Sequence, residues 1–269
     1  MWQDSSILKP FSKNKPCYYC GAPPPSTREH APVKSMFDAF DCDRITVPAC
    51  DKHNTKKNLD DRAIVTFFIR GLYSGLKNGT LTGNVMRAFE AAEPWLGEAR
   101  EVTLRPFMTD PLAQNDTPLP YIDEIGKVRA WMRQLTAALV WSVIGEFDSS
   151  IEWRNVAIWS PELVPDIGLL GPEQAALRLK RLQAIKADID RLSLHWWSGW
   201  SSFPESYPPD IYRFEISFLP SQYLLQDSGE QEIIFRHWFY AQFSWYAWFT
   251  ASQQVKQGIM DVIRKVHRV

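Results

Sequence analysis

Apolar residues recur at helical spacing, three or four positions apart, in two stretches between residues 61 and 145. Such spacing places them on one face of an amphipathic helix and predicts that this face packs against a core. The apolar positions are Val65, Phe68, Ile69, Leu72 and Leu76 in the first stretch, and Ile125, Val128, Met132, Leu135, Leu139 and Val143 in the second. A short alternating run at 102–105 and a proline-rich loop at 106–120 separate the two helical stretches. We therefore expect this segment to be mostly helical.

The last part of the chain mixes helix and strand patterns. Residues 171–172, Gly-Pro, precede a predicted helix whose buried stripe spans 179–192. Apolar and polar residues alternate strictly over 212–218, which is typical of a half-buried strand. Residues 231–249 are apolar on both faces and aromatic-rich, which favours a buried strand, although a run this long can bend or continue as a helix. We predict an α+β fold in which residues 61–269 form the larger body, helical at first and then mixed α/β.

The composition is that of a globular protein with ample core material. Of 269 residues, 45% are hydrophobic and 23% are charged, and 12 Trp, 15 Phe and 9 Tyr exclude disorder as the main state. No window approaches the roughly 18–20 apolar residues of a membrane span, and the N-terminus lacks a secretory signal. These features predict a cytoplasmic protein without a membrane partner. The net charge of −1 weakens a nucleic-acid interpretation without excluding it.

The first 60 residues differ from the rest because they contain all four cysteines. In a reducing compartment, clustered thiols indicate a metal site rather than a disulfide framework. Cys17 and Cys20 form a C-x2-C pair, and Cys50 and His53 form a C-x2-H pair 30 residues later. Together the four side chains match a structural Cys3His zinc site. The alternative is a set of buried cysteines beside a surface histidine.

Cys42 is the spare thiol of this segment, and a small buried residue is its simplest interpretation. A second assignment stays open, in which Cys42 replaces one of the four ligands in a different geometry. We predict that residues 1–60 form a small zinc-stabilised module in front of the body.

Three further polar residues lie close to the zinc ligands. Glu29 and His30 are adjacent and lie between the two ligand pairs, and Asn54 directly follows His53. The order C-x2-C, Glu-His-x-Pro, Val-Pro-x-Cys and C-x2-H-Asn resembles the HNH, or ββα-metal, endonucleases. It is most similar to the zinc-bound branch that includes the junction-resolving phage endonucleases. The resemblance covers residues 17–57, about a fifth of the chain.

The resemblance implies a fold and a division of labour for these residues. A β-hairpin would present the acid–histidine pair, and a following helix would bring Asn54 opposite it. Glu29 and Asn54 would hold a catalytic Mg²⁺ or Mn²⁺ ion, His30 would be the general base, and zinc would only fix the hairpin to the helix. The chain departs from the family in two places. Many members have Asp where this chain has Glu29, and residues 43–46 lack the Asn expected on the second strand.

A nucleic-acid substrate, most simply double-stranded DNA, is also implied by the resemblance. Arg28, Lys52, Lys56 and Lys57 would flank the phosphate path, although a solvated helix face explains the lysines equally well. Residues 1–62 carry ten Lys and Arg against eight Asp and Glu, a net charge of only +2. Because so few cations predict weak binding by one chain, we expect a homo-oligomer or a partner protein to contribute.

The sequence therefore predicts a metal-dependent endonuclease of HNH type that hydrolyses phosphodiester bonds. The resemblance associates such enzymes with mobile elements and phage defence. The alternative is a catalytically inactive zinc-bound module that binds nucleic acid or protein. The presence of Glu29, His30 and Asn54 together favours the enzyme, because binding alone needs none of the three.

Aromatic residues near the C-terminus allow two interpretations. Trp238, Trp245 and Trp248 could stack on bases, but a run this apolar favours a packed core. His195 and His237 lie beside tryptophans and are predicted to be core or rim histidines with satisfied hydrogen bonds.

Overall fold

The structure is a computed structural model of the whole chain. It describes residues 11–42, 44–54, 61, 64, 65, 68, 83–91, 121–159, 201–202, 208, 210–218, 231–240 and 243–266. Among the sequence predictions, the alternating run and loop at 102–120 and the helix at 171–192 lie outside these residues. The observed architecture mixes α-helix and β-strand, which agrees with the α+β class.

A two-stranded antiparallel hairpin occupies the N-terminal part. Strand β1 spans Thr27–Ala31 and strand β2 spans Ile45–Ala49, with Glu29 opposite Val47 and His30 opposite Thr46. A 3-10 helix at Lys34–Phe37 lies between the strands, and another at Asp51–His53 follows β2.

The central element is helix α1, which spans Tyr121–Ile144. The predicted apolar stripe is confirmed where side chains are described, because these residues are buried: Val128, Met132, Leu135, Leu139 and Val143. The earlier helical stretch is confirmed at Val65 and Phe68, which are helical and buried. Residues 83–91 form a further helical segment. Both strands of the N-terminal hairpin pack against α1.

A five-stranded antiparallel sheet packs on the other elements of the body. Its strands are β3 (Glu152–Trp159), β4 (Ser201–Ser202), β5 (Tyr212–Phe218), β6 (Gln231–Phe239) and β7 (Phe243–Ala251). Their spatial order is β3-β7-β6-β5-β4, and every neighbouring pair is antiparallel.

The long aromatic run at 231–249 is two strands rather than one. The chain bends at Tyr240, which adopts a positive φ of 51° and donates its backbone N–H to the carbonyl of Ile211 over 2.8 Å. β6 and β7 then pair along their whole length. A bend was one of the outcomes that the sequence analysis allowed for this run. The hairpin pairs the backbone N–H and C=O groups, which a single isolated strand would leave without partners.

Strand β5 is confirmed, but the prediction that only one of its faces is buried is wrong. Glu215 and Ser217, on the polar side of the alternation, are buried as well. The burial of Glu215 is compensated by an ion pair with Arg236 on the neighbouring strand β6. Buried polar residues on a sheet are tolerated only when they are paired in this way.

His237 is confirmed as a core histidine with satisfied hydrogen bonds, whereas His195 lies outside the described residues. The Tyr212 hydroxyl lies 2.9 Å from Nδ1 of His237, and the Thr136 hydroxyl lies 3.0 Å from Nε2. Thr136 already donates its own hydrogen to the carbonyl of Met132, so it accepts from Nε2–H and the Tyr212 hydroxyl donates to Nδ1. Both ring nitrogens are thereby used by the neutral imidazole.

Helix α2, Gln253–Val266, closes the described chain and packs against α1. Its buried residues recur at helical spacing: Val255, Ile259, Val262 and Ile263. The two helices approach closely at Gly258, where a Cβ atom would lie 2.8 Å from Cγ2 of Ile144. Glycine at this position is therefore what allows the crossing.

One hydrophobic core connects the hairpin, α1, the sheet and α2, and it includes Val47, Leu135, Phe235 and Ile259. The division into a module at 1–60 and a body at 61–269 stays a prediction. Within the described part of the chain, no helix is long and apolar enough to cross a membrane.

Candidate metal centre

Four side chains from the two predicted ligand pairs converge in the structure. The ligand atoms of Cys17, Cys20, Cys50 and His53 all lie within 4.8 Å of one another. Cys20 Sγ is 3.8 Å from Cys50 Sγ, and Cys17 Sγ is 3.6 Å from His53 Nδ1. Zinc bonds of about 2.3 Å to sulfur and 2.0–2.1 Å to nitrogen, at tetrahedral angles, require separations of about 3.8 Å and 3.5 Å. The cluster can therefore hold a metal ion such as zinc.

The first ligand pair is shaped by a tight turn. Cys17 donates its N–H to the carbonyl of Ala22, and Gly21 donates its N–H to the carbonyl of Cys17. Gly21 has a φ of +68°, a left-handed conformation that costs glycine nothing and other residues about 1–2 kcal/mol. A Cβ atom at position 21 would lie 2.7 Å from the ring of Phe147, just beyond α1. The turn therefore packs against the segment that follows α1, and it also brings Cys17 and Cys20 together.

The second ligand pair follows directly from the end of β2. Cys50 precedes the 3-10 helix, and the N–H of His53 donates to the carbonyl of Cys50 over 2.9 Å. That bond folds His53 back so that its Nδ1 lies 3.3 Å from Cys50 Sγ. The imidazole is buried, and the ring of Tyr19 contacts it edge-on at 4.8 Å between centroids. Because Tyr18 also bonds its N–H to the carbonyl of Pro48, the two ligand pairs are fixed to each other through the backbone.

Protonation of the ligands makes metal occupancy dependent on pH. Without metal, burial raises the pKa of the Cys17 thiol to about 11. At neutral pH this thiol is therefore protonated until a metal ion displaces the proton, since only the thiolate is a ligand. Cys42 is half-buried and is not one of the four converging residues. The structure thus brings His53, rather than Cys42, close to the thiols of Cys17, Cys20 and Cys50.

Glu29 and His30 are adjacent on β1 and differ sharply in burial. Glu29 is only 4% exposed, whereas His30 on the opposite side of the strand is half-buried. Both residues border one small recess, together with Trp131 and Gln134 of α1. Helix α1 therefore contributes to the surroundings of the predicted catalytic pair.

The surroundings of Glu29 include two residues that the sequence analysis did not single out. Burial raises the pKa of Tyr18 well above its usual value, and the nearby carboxylates of Glu29 and Asp61 add to this effect. Asp61 is buried and accepts a hydrogen bond of 2.7 Å from Nε1 of Trp131. No sequence signal identifies Asp61, because its role depends on a contact with the distant Trp131.

Two hydrogen-bonding atoms in the recess are unsatisfied. The Tyr18 hydroxyl and Oε1 of Gln134 are buried, and neither has a hydrogen-bond partner among the described residues. Since an unsatisfied buried polar group costs about 1–3 kcal/mol, such atoms often mark a place for water or an ion.

His30 faces a basic environment. Burial lowers the pKa of its imidazole, and the charges of Arg44, Lys34 and Arg28 lower it further. The imidazole is therefore neutral at physiological pH, the form that accepts a proton. Arg44 and Lys34 were not among the sequence predictions, because neither belongs to the helix that the lysine pattern suggested.

Asn54 lies against the start of β1. Its Nδ2 donates to the hydroxyl of Thr27 over 2.7 Å and to the carbonyl of Arg28 over 3.1 Å. These bonds place Asn54 beside the residue that precedes Glu29.

The predicted phosphate contacts are only partly described by the structure. Arg28 and Lys52 are exposed, and the guanidinium of Arg28 lies 5.0 Å from the ring centroid of Phe11. Lys56 and Lys57 lie outside the described residues.

The tryptophans near the C-terminus belong to the sheet. Trp245 is fully buried, which confirms the core interpretation for this residue. Trp238 and Trp248 are half-buried and engaged by protein groups. The guanidinium of Arg213 lies 4.8 Å from the Trp238 ring centroid, and Nε1 of Trp248 donates to Glu232.

Comparison of the chain with protein-family models, curated proteins and solved structures finds no match in any of the three. Support for a function therefore comes from the residues of this chain and their geometry.

Proposed function

We propose that the protein is a metal-dependent endonuclease of HNH type that hydrolyses phosphodiester bonds, most simply those of DNA. One observation supports it above the others. The Cys3His cluster joins the end of β2 to the N-terminal knuckle, the turn that carries Cys17 and Cys20. It thereby holds Asn54 against the strand that carries Glu29 and His30. A purely structural zinc site does not need this arrangement.

Zinc fits the Cys3His cluster, because the ligand types and the measured separations match a tetrahedral structural site. All four positions come from protein, as in sites that stabilise folding and leave no position open for substrate. In this proposal Cys17, Cys20, Cys50 and His53 hold zinc and act on catalysis only by positioning the neighbouring residues.

In this proposal a second divalent ion, Mg²⁺ or Mn²⁺, would be held by Glu29 and Asn54. A carboxylate and an amide oxygen are hard ligands of the kind these ions prefer. When bound, the ion would supply Lewis-acid stabilisation of negative charge on the phosphate.

His30 would accept the proton of the attacking water. Its environment supports this role, because His30 is half-buried and the charges of Arg44, Lys34 and Arg28 act on it. Burial and the neighbouring cations lower the pKa of the imidazole and keep it unprotonated, and the cations also attract a phosphate group towards it. A general base placed in this way contributes typically about 10²–10⁴ in rate.

The wider proposal concerns substrate and context. The slightly acidic chain suggests that one copy binds DNA weakly, so a second copy or a partner protein would add contacts. A cytoplasmic role in a mobile element or in phage defence is suggested by the resemblance to HNH nucleases alone.

The proposal is tested by nicking of supercoiled plasmid by zinc-loaded protein, with and without Mg²⁺ or Mn²⁺. We expect nicking only with the added ion. Glu29→Gln keeps the size of the side chain and removes its charge, so it should shift the metal titration to higher concentration. Asn54→Ala should do the same, and Lys13→Gln on an exposed loop is the matched control. Zinc-loaded, folded protein that nicks under none of these conditions would instead support the inactive binding module.

A further inference from the structure

Three cations from three separate elements surround His30. Arg28 is on β1, Lys34 begins the first 3-10 helix, and Arg44 immediately precedes β2. The charges of all three act on His30. Arg28 belongs to the phosphate path predicted from the sequence, whereas Lys34 and Arg44 do not.

The register of the hairpin explains the convergence. Side chains alternate between the two faces of a strand, so Arg28 lies on the same face of β1 as His30, opposite to the buried Glu29. His30 pairs with Thr46, and Arg44 lies two positions before Thr46 on the same face. Lys34 follows β1 closely enough to reach this face from its open end.

None of these cations is paired with a described acidic residue, and protein groups contact two of them. Arg44 is half-buried and donates from Nη2 to the carbonyl of Phe37 over 3.4 Å, and its Nε–H has no partner among the described residues. Arg28 rests on Phe11, and Lys34 is exposed. In the described part of the chain, none of the three forms a salt bridge. Clustered cations of this kind repel one another, and an anion bound between them relieves the repulsion.

We infer that Arg44, Lys34 and Arg28 form a phosphodiester-binding surface on the His30 face of the hairpin, with Arg44 as its fixed anchor. The inference rests on the proposed function for the identity of the ligand, the backbone phosphates of DNA. Arg44 is the anchor because its guanidinium is oriented by the Phe37 carbonyl and keeps further N–H groups to donate, as phosphate recognition requires. It is a positioning residue, which brings the phosphate to His30.

The test is the salt dependence of DNA binding, measured by fluorescence anisotropy with a labelled duplex and zinc-loaded protein in the absence of added Mg²⁺. Each neutralised phosphate contributes a log–log slope of about −0.9. Arg44→Gln and Lys34→Gln should each make the slope shallower by about one, and Arg44→Lys should restore it. Arg264→Gln, on the exposed face of α2, removes the same charge and should leave the slope unchanged.

The outcomes separate this inference from the proposed function. An unchanged slope in both the Arg44 and Lys34 variants overturns the surface, as does an equal loss in Arg264→Gln, which would indicate a general charge effect. Lys34 is exposed, so its variant remains informative even if Arg44→Gln does not fold. A shallower slope in the two variants, together with a wild-type protein that never cleaves DNA, would support the surface and reject the nuclease.

Discussion

The ring of Phe147 lies directly against Gly21, so close that a Cβ atom at position 21 would be 2.7 Å from it. This contact joins the knuckle that carries Cys17 and Cys20 to the segment just after α1. The metal cluster and the body are therefore packed as neighbours in one core, and the stability of each depends on the other.

We expect Gly21→Ala to destabilise the zinc-loaded protein more than Gly83→Ala. Both glycines have positive φ, at +68° and +57°, so both variants incur the backbone penalty of about 1–2 kcal/mol. At Gly83 the nearest atom to a new Cβ is 3.9 Å away, whereas at Gly21 overpacking adds about 1–3 kcal/mol. Urea unfolding measures the difference. Equal losses in the two variants would show that the Phe147 contact is unimportant.

Substitutions at Cys20 and Cys42 should differ in their effect on zinc content. Purified wild-type protein should contain about one zinc per chain by elemental analysis, and Cys20→Ser should lose most of it. Structural zinc contributes about 10 kcal/mol or more to the folding of small modules, so this variant should also unfold at a lower temperature. Cys42→Ser is the matched control, because Cys42 lies outside the cluster. Zinc loss in the control alone would reverse the ligand assignment.

The metal ligands were predictable from the sequence because their spacing is local. A C-x2-C and a C-x2-H pair each place two ligands on one turn, and tetrahedral zinc then requires the two pairs to meet. The buried residues of the predicted stripe in α1 follow from periodicity, but the single buried face does not hold along the whole helix. Every residue from 135 to 143 is buried, so this half of α1 is covered on all sides.

Other features depend on contacts between distant segments, which periodicity does not report. Alternation along β1 predicts that Glu29 and His30 face opposite ways, but it cannot say which of them α1 covers. The grouping of Arg44 and Lys34 around His30 depends on the hairpin register. The bend at Tyr240 could not be located from the sequence, because tyrosine is not a residue typical of turns and the run around it is rich in aromatic residues.

His237 should make folding stability depend on pH. Burial lowers its pKa from 6.5 to about 3 in the folded protein. Between these values the unfolded chain binds the extra proton, so stability is complete above pH 6.5 and falls as the pH drops towards 3. Lowering the pH from 7 to 5.5 should reduce the free energy of unfolding by about 1 kcal/mol.

Urea unfolding at the two pH values measures this effect in the zinc-loaded protein. His237→Asn removes the titrating ring, so its stability should vary less over the same interval, although it is lower throughout. If the variant and the wild type lose the same free energy between pH 7 and 5.5, His237 is not the group responsible.

If His30 is the general base of phosphodiester hydrolysis, His30→Ala should nick plasmid DNA much more slowly than the wild type. The variant should retain zinc, because His30 is not one of the four ligands, and circular dichroism should show the wild-type fold. With Mg²⁺ or Mn²⁺ added, nicking should fall by about 10²–10⁴ relative to the wild type. Nicking at the wild-type rate by folded, zinc-loaded His30→Ala would contradict the account.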